Sequence, residues 1–169
     1  MTQSEFLKIV TPFKDKLYRL SKRLLVSHEE AQDATQEVMI KLWNQKSKMA
    51  DYKNVEAFSM TLTKNYCLDR LRSKQSQNLR IVHSNYEEKQ TGLDKHLEQK
   101  DSLSWMSKLM EELPEQQRMV IQLRDIEQYE FEEIAKVLDM NETAIRVALS
   151  RARKVLRTRL MQTHNYGVK

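Results

Sequence analysis

The sequence predicts an all-α protein made of two small helical domains joined by a flexible linker. The chain of 169 residues holds 2 Gly and 2 Pro and has no Asn-Gly or Asp-Gly pair, so it lacks the residues on which hairpin turns depend. Its apolar residues recur at steps of three and four, which is the spacing of one helix face. A polar segment of weak periodicity divides the chain. We therefore predict domains at 1–74 and 102–169 and a linker at 75–101.

The first helix of the N-terminal domain is predicted from an apolar stripe that runs from Phe6 to Leu24. The pair Thr11-Pro12 interrupts this stripe, and proline is well accommodated at the first position of a helix. We therefore expect a short helix that is followed by a second helix start at Thr11.

Two further helices follow in this domain, each with its own start signal. Ser27 and Glu30 have the spacing of a capping box, which predicts a helix that ends near Asn44. Asn54 can cap the next helix, because its side chain can accept a hydrogen bond from an amide of the first turn. The residues at 45–53 are polar and are predicted to form the connection between these helices.

The C-terminal domain is predicted to end in a helix-turn-helix. Pro114 separates the two helices that begin this domain. A short helix that ends near Leu138 is then joined to a long helix by the turn 139–141, and Asn141 can cap the long helix. The long helix is expected to pack on its neighbour through an apolar stripe that begins with Ile145.

The other face of the long helix carries an excess of positive charge. Several basic residues lie on this face, and Glu142 is its single acidic residue. Charged helix faces are usually just solvated, but one sign dominates here at the end of a helix-turn-helix, which favours DNA binding. In such a motif the first residues of the recognition helix reach base edges and the later cations contact phosphate. The candidate base-reading residues are Thr143, Arg146 and Val147, flanked by Asn141 and Glu142, and the candidate phosphate contacts are Arg151 and Lys154.

Two helices of the N-terminal domain carry charged surfaces of opposite sign. The second helix begins with acids, which favour its dipole, and Asp33, Gln36 and Glu37 lie on one face of it. The third helix has cations beside an amide and an aromatic ring. This combination suits single-stranded nucleic acid, although the apolar residues of the same helix fit a core. The candidate nucleic-acid contacts there are Lys64, Asn65, Tyr66 and Arg70.

Composition and motifs disfavour several classes of function. The 29 Lys and Arg outnumber the 24 acids, and a formal net charge of +5 permits a polyanionic partner. Cys67 is the single cysteine and the 4 histidines are scattered, so we expect no disulfide, metal site or cofactor. No Gly-rich phosphate loop or nucleophile–base pair is visible, so we expect no catalytic residue and no enzyme activity. Without a signal peptide or a long apolar run, the chain is expected to be cytoplasmic and not inserted in a membrane.

Three blocks of the sequence, in this order, resemble the sigma-70 family of RNA polymerase sigma factors. The stretch SHEEAQDATQEVMIKLW resembles the helix of that family that docks on core polymerase. The stretch AFSMTLTKNYCLDRLRSK is similar to the helix that follows it in the family. The segment 112–160, from ELPEQQRMV to RARKVLRTRL, resembles the promoter-reading C-terminal domain. The order and the short linker match the extracytoplasmic-function (ECF) class, which keeps two helical domains, the region 2 bundle and the region 4 helix-turn-helix.

The resemblance implies a transcription initiation factor that is not an enzyme. It implies that Asp33, Gln36 and Glu37 bind bacterial core RNA polymerase and that the C-terminal domain binds the −35 element of promoter DNA. It also implies that the third helix and the loop before it bind the −10 element, and the loop residues are Asp51, Tyr52, Lys53 and Asn54. An anti-sigma factor is a further implied partner. The alternative is a stand-alone helix-turn-helix regulator that binds duplex DNA without polymerase and has no need of the acidic surface.

The sequence departs from the pattern of this family at three places. Thr143-Ala144 stand where Gly-Thr usually enters the recognition helix. Met60 or Thr61 occupies a position where tryptophan is frequent, and Ala148 stands where a basic residue is common. These changes are expected to bear on promoter preference more than on the class of protein.

Overall fold

The computed structural model describes residues 1–78 and 102–167, and within these two ranges it contains helices and no strand. The all-α prediction is therefore confirmed. The helices are α1 (Gln3–Leu25), α2 (His28–Asn44), α3 (Val55–Asn78), α4 (Ser102–Glu111), α5 (Glu115–Ile121), α6 (Phe131–Leu138) and α7 (Glu142–Gly167). A 3₁₀ helix (Lys46–Asp51) precedes α3, and a π-helical turn (Gln122–Ile126) follows α5. The predicted linker lies outside the described residues from 79 onward, and the domain limits remain predictions.

The first helix, α1, is continuous over 23 residues and has Pro12 in its interior, so the helix start predicted at Thr11 is wrong. The apolar stripe keeps its phase across the proline, and that is why the helix does not break. Burial of this stripe offsets the cost of a proline inside a helix, which is about 3 kcal/mol or more. The buried apolar residues of α1 are Phe6, Val10, Phe13, Leu17, Leu20, Leu24 and Leu25.

The cap predicted for α3 forms in full, whereas the capping box predicted for α2 forms only in part. Ser27 caps α2, since its Oγ accepts a hydrogen bond from the Glu30 amide at 3.4 Å. The expected capping box does not form, because the Glu30 carboxylate forms an ion pair with Lys74 of α3. The cap of α3 is confirmed, because Asn54 Oδ1 accepts a hydrogen bond from the Ala57 amide at 3.0 Å. The polar connection between these helices is the 3₁₀ helix, which buries Met49.

The N-terminal domain is a bundle in which α1, α2 and α3 pack against one another. The inner face of α2 buries Ala34, Val38 and Leu42, and α3 contributes Met60 and Cys67. Burial raises the pKa of the Cys67 thiol to about 11, so this cysteine is protonated and inert at neutral pH. The apolar inner faces fix which faces of α2 and α3 remain outside.

The C-terminal domain contains the predicted helix-turn-helix. Its helices α6 and α7 pack together, and α7 also packs against α4 and α5. Asp139 adopts the left-handed conformation at the end of α6, and Asn141 Oδ1 accepts a hydrogen bond from the Ala144 amide at 2.7 Å. Ile145 and Leu149 are buried, which confirms the predicted packing of the long helix.

The two domains contact each other in this structure. Helix α1 packs against α5 and the π-helical turn, and α3 packs against α6. Buried apolar side chains from both domains form one continuous cluster.

Candidate functional site

Helix α2 presents an acidic face to solvent, which we define as Asp33, Gln36 and Glu37. All three side chains are exposed, whereas Val38 and Leu42 on the opposite side are fully buried. The structure adds one residue that the sequence reasoning missed. Ile40 lies three residues after Glu37 on the same face, and it is 53% exposed. Its position on this face follows from helical periodicity, so that signal could have found it.

The loop before α3 brings its predicted residues to one end of that helix. Asp51, Lys53 and Asn54 are exposed. Tyr52 is half-buried because its ring stacks on Phe58 at a centroid distance of 4.2 Å and an angle of 20°. Phe58 is half-buried and packs against the core, as expected from its apolar character, and its ring also forms an aromatic pair with Tyr52.

The middle of α3 holds a second group of predicted residues. Asn65 is exposed and Tyr66 is half-buried. Arg70 Nη1 donates a hydrogen bond to the Tyr66 hydroxyl at 3.1 Å, and Lys41 Nζ of α2 lies 5.0 Å from the centroid of the Tyr66 ring. Asn54 and Tyr66 are separated by about 18 Å along the helix at 1.5 Å per residue. The structure therefore places two groups along one helix and does not gather them in one cluster.

Lys64 lies apart from both groups. Residues two positions apart point to opposite sides of a helix, so Lys64 and Tyr66 do not share a face. Lys64 is only 9% exposed, and α6 packs against this helix. Burial lowers the pKa of Lys64, and the carboxylate of Asp139, in the turn after α6, opposes that shift.

The predicted DNA-reading residues of α7 form an exposed row along one face. Residues 143, 147, 151 and 154 follow one another at steps of four, four and three, and Arg146 lies beside Val147, three residues after Thr143. Ile145, Leu149 and Ala152 are buried on the other side of the helix. The exposed residues of the row are Thr143, Arg146, Val147, Arg151 and Lys154, with Asn141 and Glu142 exposed at its start. The guanidinium carbon of Arg146 lies 4.9 Å from the centroid of the Phe131 ring in α6. This cation–π contact holds the guanidinium of Arg146 beside α6 at the exposed surface of the motif.

Other cations of α7 are engaged inside their own domain. Arg153 donates two hydrogen bonds to the Asp125 carboxylate, at 2.5 and 3.0 Å, and this pairing raises the pKa of Arg153. Arg159 forms an ion pair with Glu112 at 2.7 Å. Ala148 is buried, so the position at which the family often has a basic residue faces the core here.

Replacing the cap of α7 is expected to weaken the domain without changing its charge. Asn141→Ala removes the side-chain acceptor of the Ala144 amide, and loss of such a cap costs about 1 kcal/mol. Denaturant unfolding monitored by circular dichroism measures this loss. Asn141→Asp is the control, because aspartate caps helices as well as asparagine does. Equal stability of Asn141→Ala and the parent would contradict the role of this cap.

An apolar groove of about 820 Å³ lies between α4, the π-helical turn and α7. Trp105, Ile126 and Met161 line it and are exposed. Exposed apolar surface of this kind, rimmed by charged residues such as Arg157, marks protein interaction sites. No local sequence pattern predicts this groove, because its residues come from three separate elements.

Within residues 1–78 and 102–167, no group of three or more His, Cys, Asp or Glu could hold a metal ion. No helix there is long and apolar enough to cross a membrane.

Two family models match the chain, one for each domain. The model described as Sigma-70 region 2 matches residues 9–77, and the model described as Sigma-70, region 4 matches residues 103–156. The chain belongs to the sigma-70 family of RNA polymerase sigma factors. Members of this family are non-enzymatic regulators. The two matches are to region 2 and region 4, which are the two domains of the ECF class. The ECF assignment made from the sequence is therefore confirmed.

Two solved structures share this fold. The sigma factor RpoE, solved in complex with the anti-sigma factor NepR from Bartonella quintana, is 19% identical and has a TM-score of 0.77. That similarity covers 93% of this chain and 97% of RpoE. CnrH, solved in complex with the cytosolic domain of CnrY, is also 19% identical, with a TM-score of 0.72 over 95% of this chain and 90% of CnrH.

Proposed function

We propose that this sigma factor binds core RNA polymerase through the acidic face of α2 and recruits it to promoters. The observation that carries this proposal is that Asp33, Gln36 and Glu37 are all exposed on one side of a helix whose other side is buried. A solvated negative surface steers association with a basic partner surface. Ile40 adds an apolar contact that becomes dehydrated when the complex forms.

We propose further that α3 and the loop before it contact the −10 element as a single strand. The aromatic pair of Tyr52 and Phe58 offers a stacking surface, and Lys53 lies beside it to contact phosphate. Asn65 supplies an exposed amide further along the helix, and Arg70 supplies a cation. Together these residues line a path for several nucleotides along α3.

The −35 element is proposed to be read as duplex DNA by α7. The exposed row begins at the capped N-terminus of the helix, whose amides favour an anionic group. Arg146 and Thr143 would reach base edges in the major groove, and Arg151 and Lys154 would contact the phosphates. The buried stripe of α7 holds the helix on α6 in the docking orientation.

Protein partners other than polymerase are proposed at the apolar groove of the C-terminal domain. RpoE and CnrH were both solved with a protein bound, in the first case an anti-sigma factor. An anti-sigma factor that presents an apolar helix would cover Trp105 and Ile126. Promoter binding requires access to DNA, so we propose that the chain acts in the cytoplasm.

Binding to polymerase separates this function from that of a stand-alone regulator. We expect the full chain to co-elute with bacterial core polymerase in size-exclusion chromatography and to give the complex affinity for promoter DNA. A stand-alone helix-turn-helix regulator would bind duplex DNA and elute separately from core polymerase.

Removing one phosphate contact of α7 is expected to change how salt affects duplex binding. For Arg151→Ala or Lys154→Ala, the slope of log affinity against log salt should fall by about 0.9, with sequence preference unchanged. Filter binding at several salt concentrations measures the slope. Arg153→Ala is the matched control, because Arg153 is exposed on the same helix but paired with Asp125. A changed sequence preference with an unchanged slope would instead assign these residues to base readout.

A further inference from the structure

Arg146 of α7 is held at the surface by an aromatic ring, whereas a neighbouring cation of the same helix is held by a carboxylate. Arg153 forms an ion pair with Asp125. Arg146 is exposed, and among the described residues it forms no hydrogen bond and no ion pair. Its guanidinium carbon lies 4.9 Å from the centroid of the Phe131 ring in α6. The residue proposed to read a base therefore has a different kind of support from Arg153.

The kind of support decides which atoms of a guanidinium group remain available. The Asp125 carboxylate accepts hydrogen bonds from Nε and Nη2 of Arg153, so those donors are occupied. An aromatic face attracts the positive charge through its quadrupole and occupies none of the N–H donors in this way. A bidentate contact with O6 and N7 of guanine requires two of these donors. The contact with Phe131 therefore restrains Arg146 and leaves its donors free for a base.

The Phe131 ring has a defined position within its own domain. Phe131 is the first residue of α6, and its half-buried side chain packs against the hydrophobic core. The guanidinium carbon of Arg124, in the π-helical turn, lies 4.3 Å from the ring centroid. Arg124 is anchored in turn, because its Nη1 donates a hydrogen bond to the Tyr129 carbonyl oxygen at 2.8 Å. The ring is thus a fixed support for the Arg146 side chain.

The two arginines at this ring differ in their acidic neighbours. Arg124 Nη1 lies 3.7 Å from Glu130 Oε2. Glu142 lies four residues before Arg146, which is the usual spacing of an ion pair on a helix, yet the described residues form no such pair. The charge of Arg146 therefore stays available for an electronegative partner such as the O6 and N7 atoms of guanine.

Restraint of Arg146 in the free protein affects discrimination between DNA sequences. Arginine has many rotamers, and fixing such a side chain at an interface costs conformational entropy. The contact with Phe131 reduces this cost, because the free chain already restricts the side chain. A DNA sequence that offers no bidentate partner gains nothing from the restriction. The ring is therefore expected to increase sequence preference more than overall affinity.

We propose that Phe131 is a positioning residue for −35 readout, which holds the Arg146 side chain in the conformation that contacts a guanine. This inference rests on the proposed role of Arg146 as a base-reading residue. Phe131 lies outside the recognition helix, so the first helix of the motif contributes to sequence preference as well as to packing.

Base preference of the holoenzyme tests this inference. The parent chain, assembled with bacterial core polymerase, first selects −35 sequences from a random library. The position that Arg146 reads is the guanine whose preference is lost in Arg146→Ala. At that position, Phe131→Leu should reduce the preference for guanine about two- to fivefold, as expected for loss of an exposed cation–π contact. Phe131→Tyr keeps the ring and should retain the parental preference.

A double-mutant cycle shows whether Phe131 acts through Arg146. In the Arg146→Ala background, Phe131→Leu should cause no further change in base preference at this position. The free full chain gives a second readout by nuclear magnetic resonance. The ring current of Phe131 should shift the side-chain protons of Arg146 upfield, and Phe131→Leu should remove that shift.

A loss of stability without loss of the ring is the matched control. Val137 is buried in α6, and Val137→Ala weakens the packing of the same helix while it changes neither partner of the cation–π contact. It should lower the denaturant midpoint of the chain and leave the −35 preference at its parental value. Circular dichroism checks that each variant keeps its helices.

Three results would overturn the positioning role of Phe131. They are a parental guanine preference in Phe131→Leu, an equal loss of affinity for all −35 sequences in that variant, and an undiminished effect of Phe131→Leu in the Arg146→Ala background. Arg146→Ala shows whether the proposed function fails as well. If it loses the guanine preference while Phe131→Leu keeps it, base readout stands and only positioning is refuted. If Arg146→Ala keeps the parental preference at every position, base readout by Arg146 is refuted, and positioning with it.

Discussion

The double variant Asp33→Lys with Glu37→Lys is expected to bind core RNA polymerase about a hundredfold more weakly than the parent, because like charges across an interface cost several kcal/mol. Both side chains are exposed, and the buried side of α2 is untouched by the change. Helix content should therefore match that of the parent. Fluorescence titration of labelled protein with core polymerase measures the affinity.

The matched control for this variant is Asp69→Lys with Glu132→Lys. It makes the same change in net charge at two exposed residues of other helices, each of which forms only a local ion pair. We expect its affinity for core polymerase to stay close to that of the parent. Parental affinity in the α2 double variant would show that the acidic face does not dock on polymerase.

The second large effect is expected at the recognition helix. Arg146→Ala should weaken binding to the preferred −35 sequence much more than binding to a scrambled one. A bidentate contact between arginine and guanine discriminates by about 1–3 kcal/mol, which is roughly 5- to 150-fold in affinity. The preference for particular bases should also weaken at one or two adjacent positions. Selection from a library of −35 variants, carried out with parent and variant holoenzymes, measures this change.

Neighbouring residues of the same row provide the comparison for Arg146. Thr143→Ala should have a smaller effect, since a hydroxyl makes fewer directional hydrogen bonds than a guanidinium. Arg151→Ala should reduce binding to all sequences about equally, because phosphate contacts carry no base information. An equal loss across all −35 variants in Arg146→Ala would restrict that residue to a positioning role.

Local signals in the sequence were sufficient for most of the helices. Asn54 and Asn141 cap α3 and α7 as predicted, because a cap depends on residues only three positions apart. The helix start expected at Thr11-Pro12 is wrong, because the outcome there depends on residues that are distant in sequence. Whether a proline breaks a helix depends on how much burial the rest of the helix gains, and that burial comes from α2 and α3. Glu30 likewise contacts Lys74, which is distant in sequence.

The candidate surfaces were predictable where they depend on one helix. The acidic face of α2 and the exposed row of α7 follow from periodicity, and the structure leaves both exposed as that periodicity requires. The surface of α3 was less predictable, because adjacency in sequence does not imply a shared face. Lys64 and Tyr66 lie on opposite sides, and Phe58 stacks on a loop residue.

The contacts between the domains were outside the reach of sequence reasoning. Arg19 and Glu127 are 108 positions apart, and Glu56 and Tyr129 are 73 apart. Each of these residues also has the features of an ordinary surface side chain. Only the docked arrangement of α1 and α3 against the C-terminal domain brings the partners together.

Run-off transcription with purified bacterial core polymerase tests the central claim most directly. With a library of random promoter templates, the full chain should produce transcripts from discrete start sites, and the selected templates should share a −10 and a −35 element at fixed spacing. Asp33→Lys with Glu37→Lys should abolish these transcripts, whereas Asp69→Lys with Glu132→Lys should not. Transcription no higher than with core polymerase alone, together with tight binding of the chain to duplex DNA, would contradict the account and favour a stand-alone regulator.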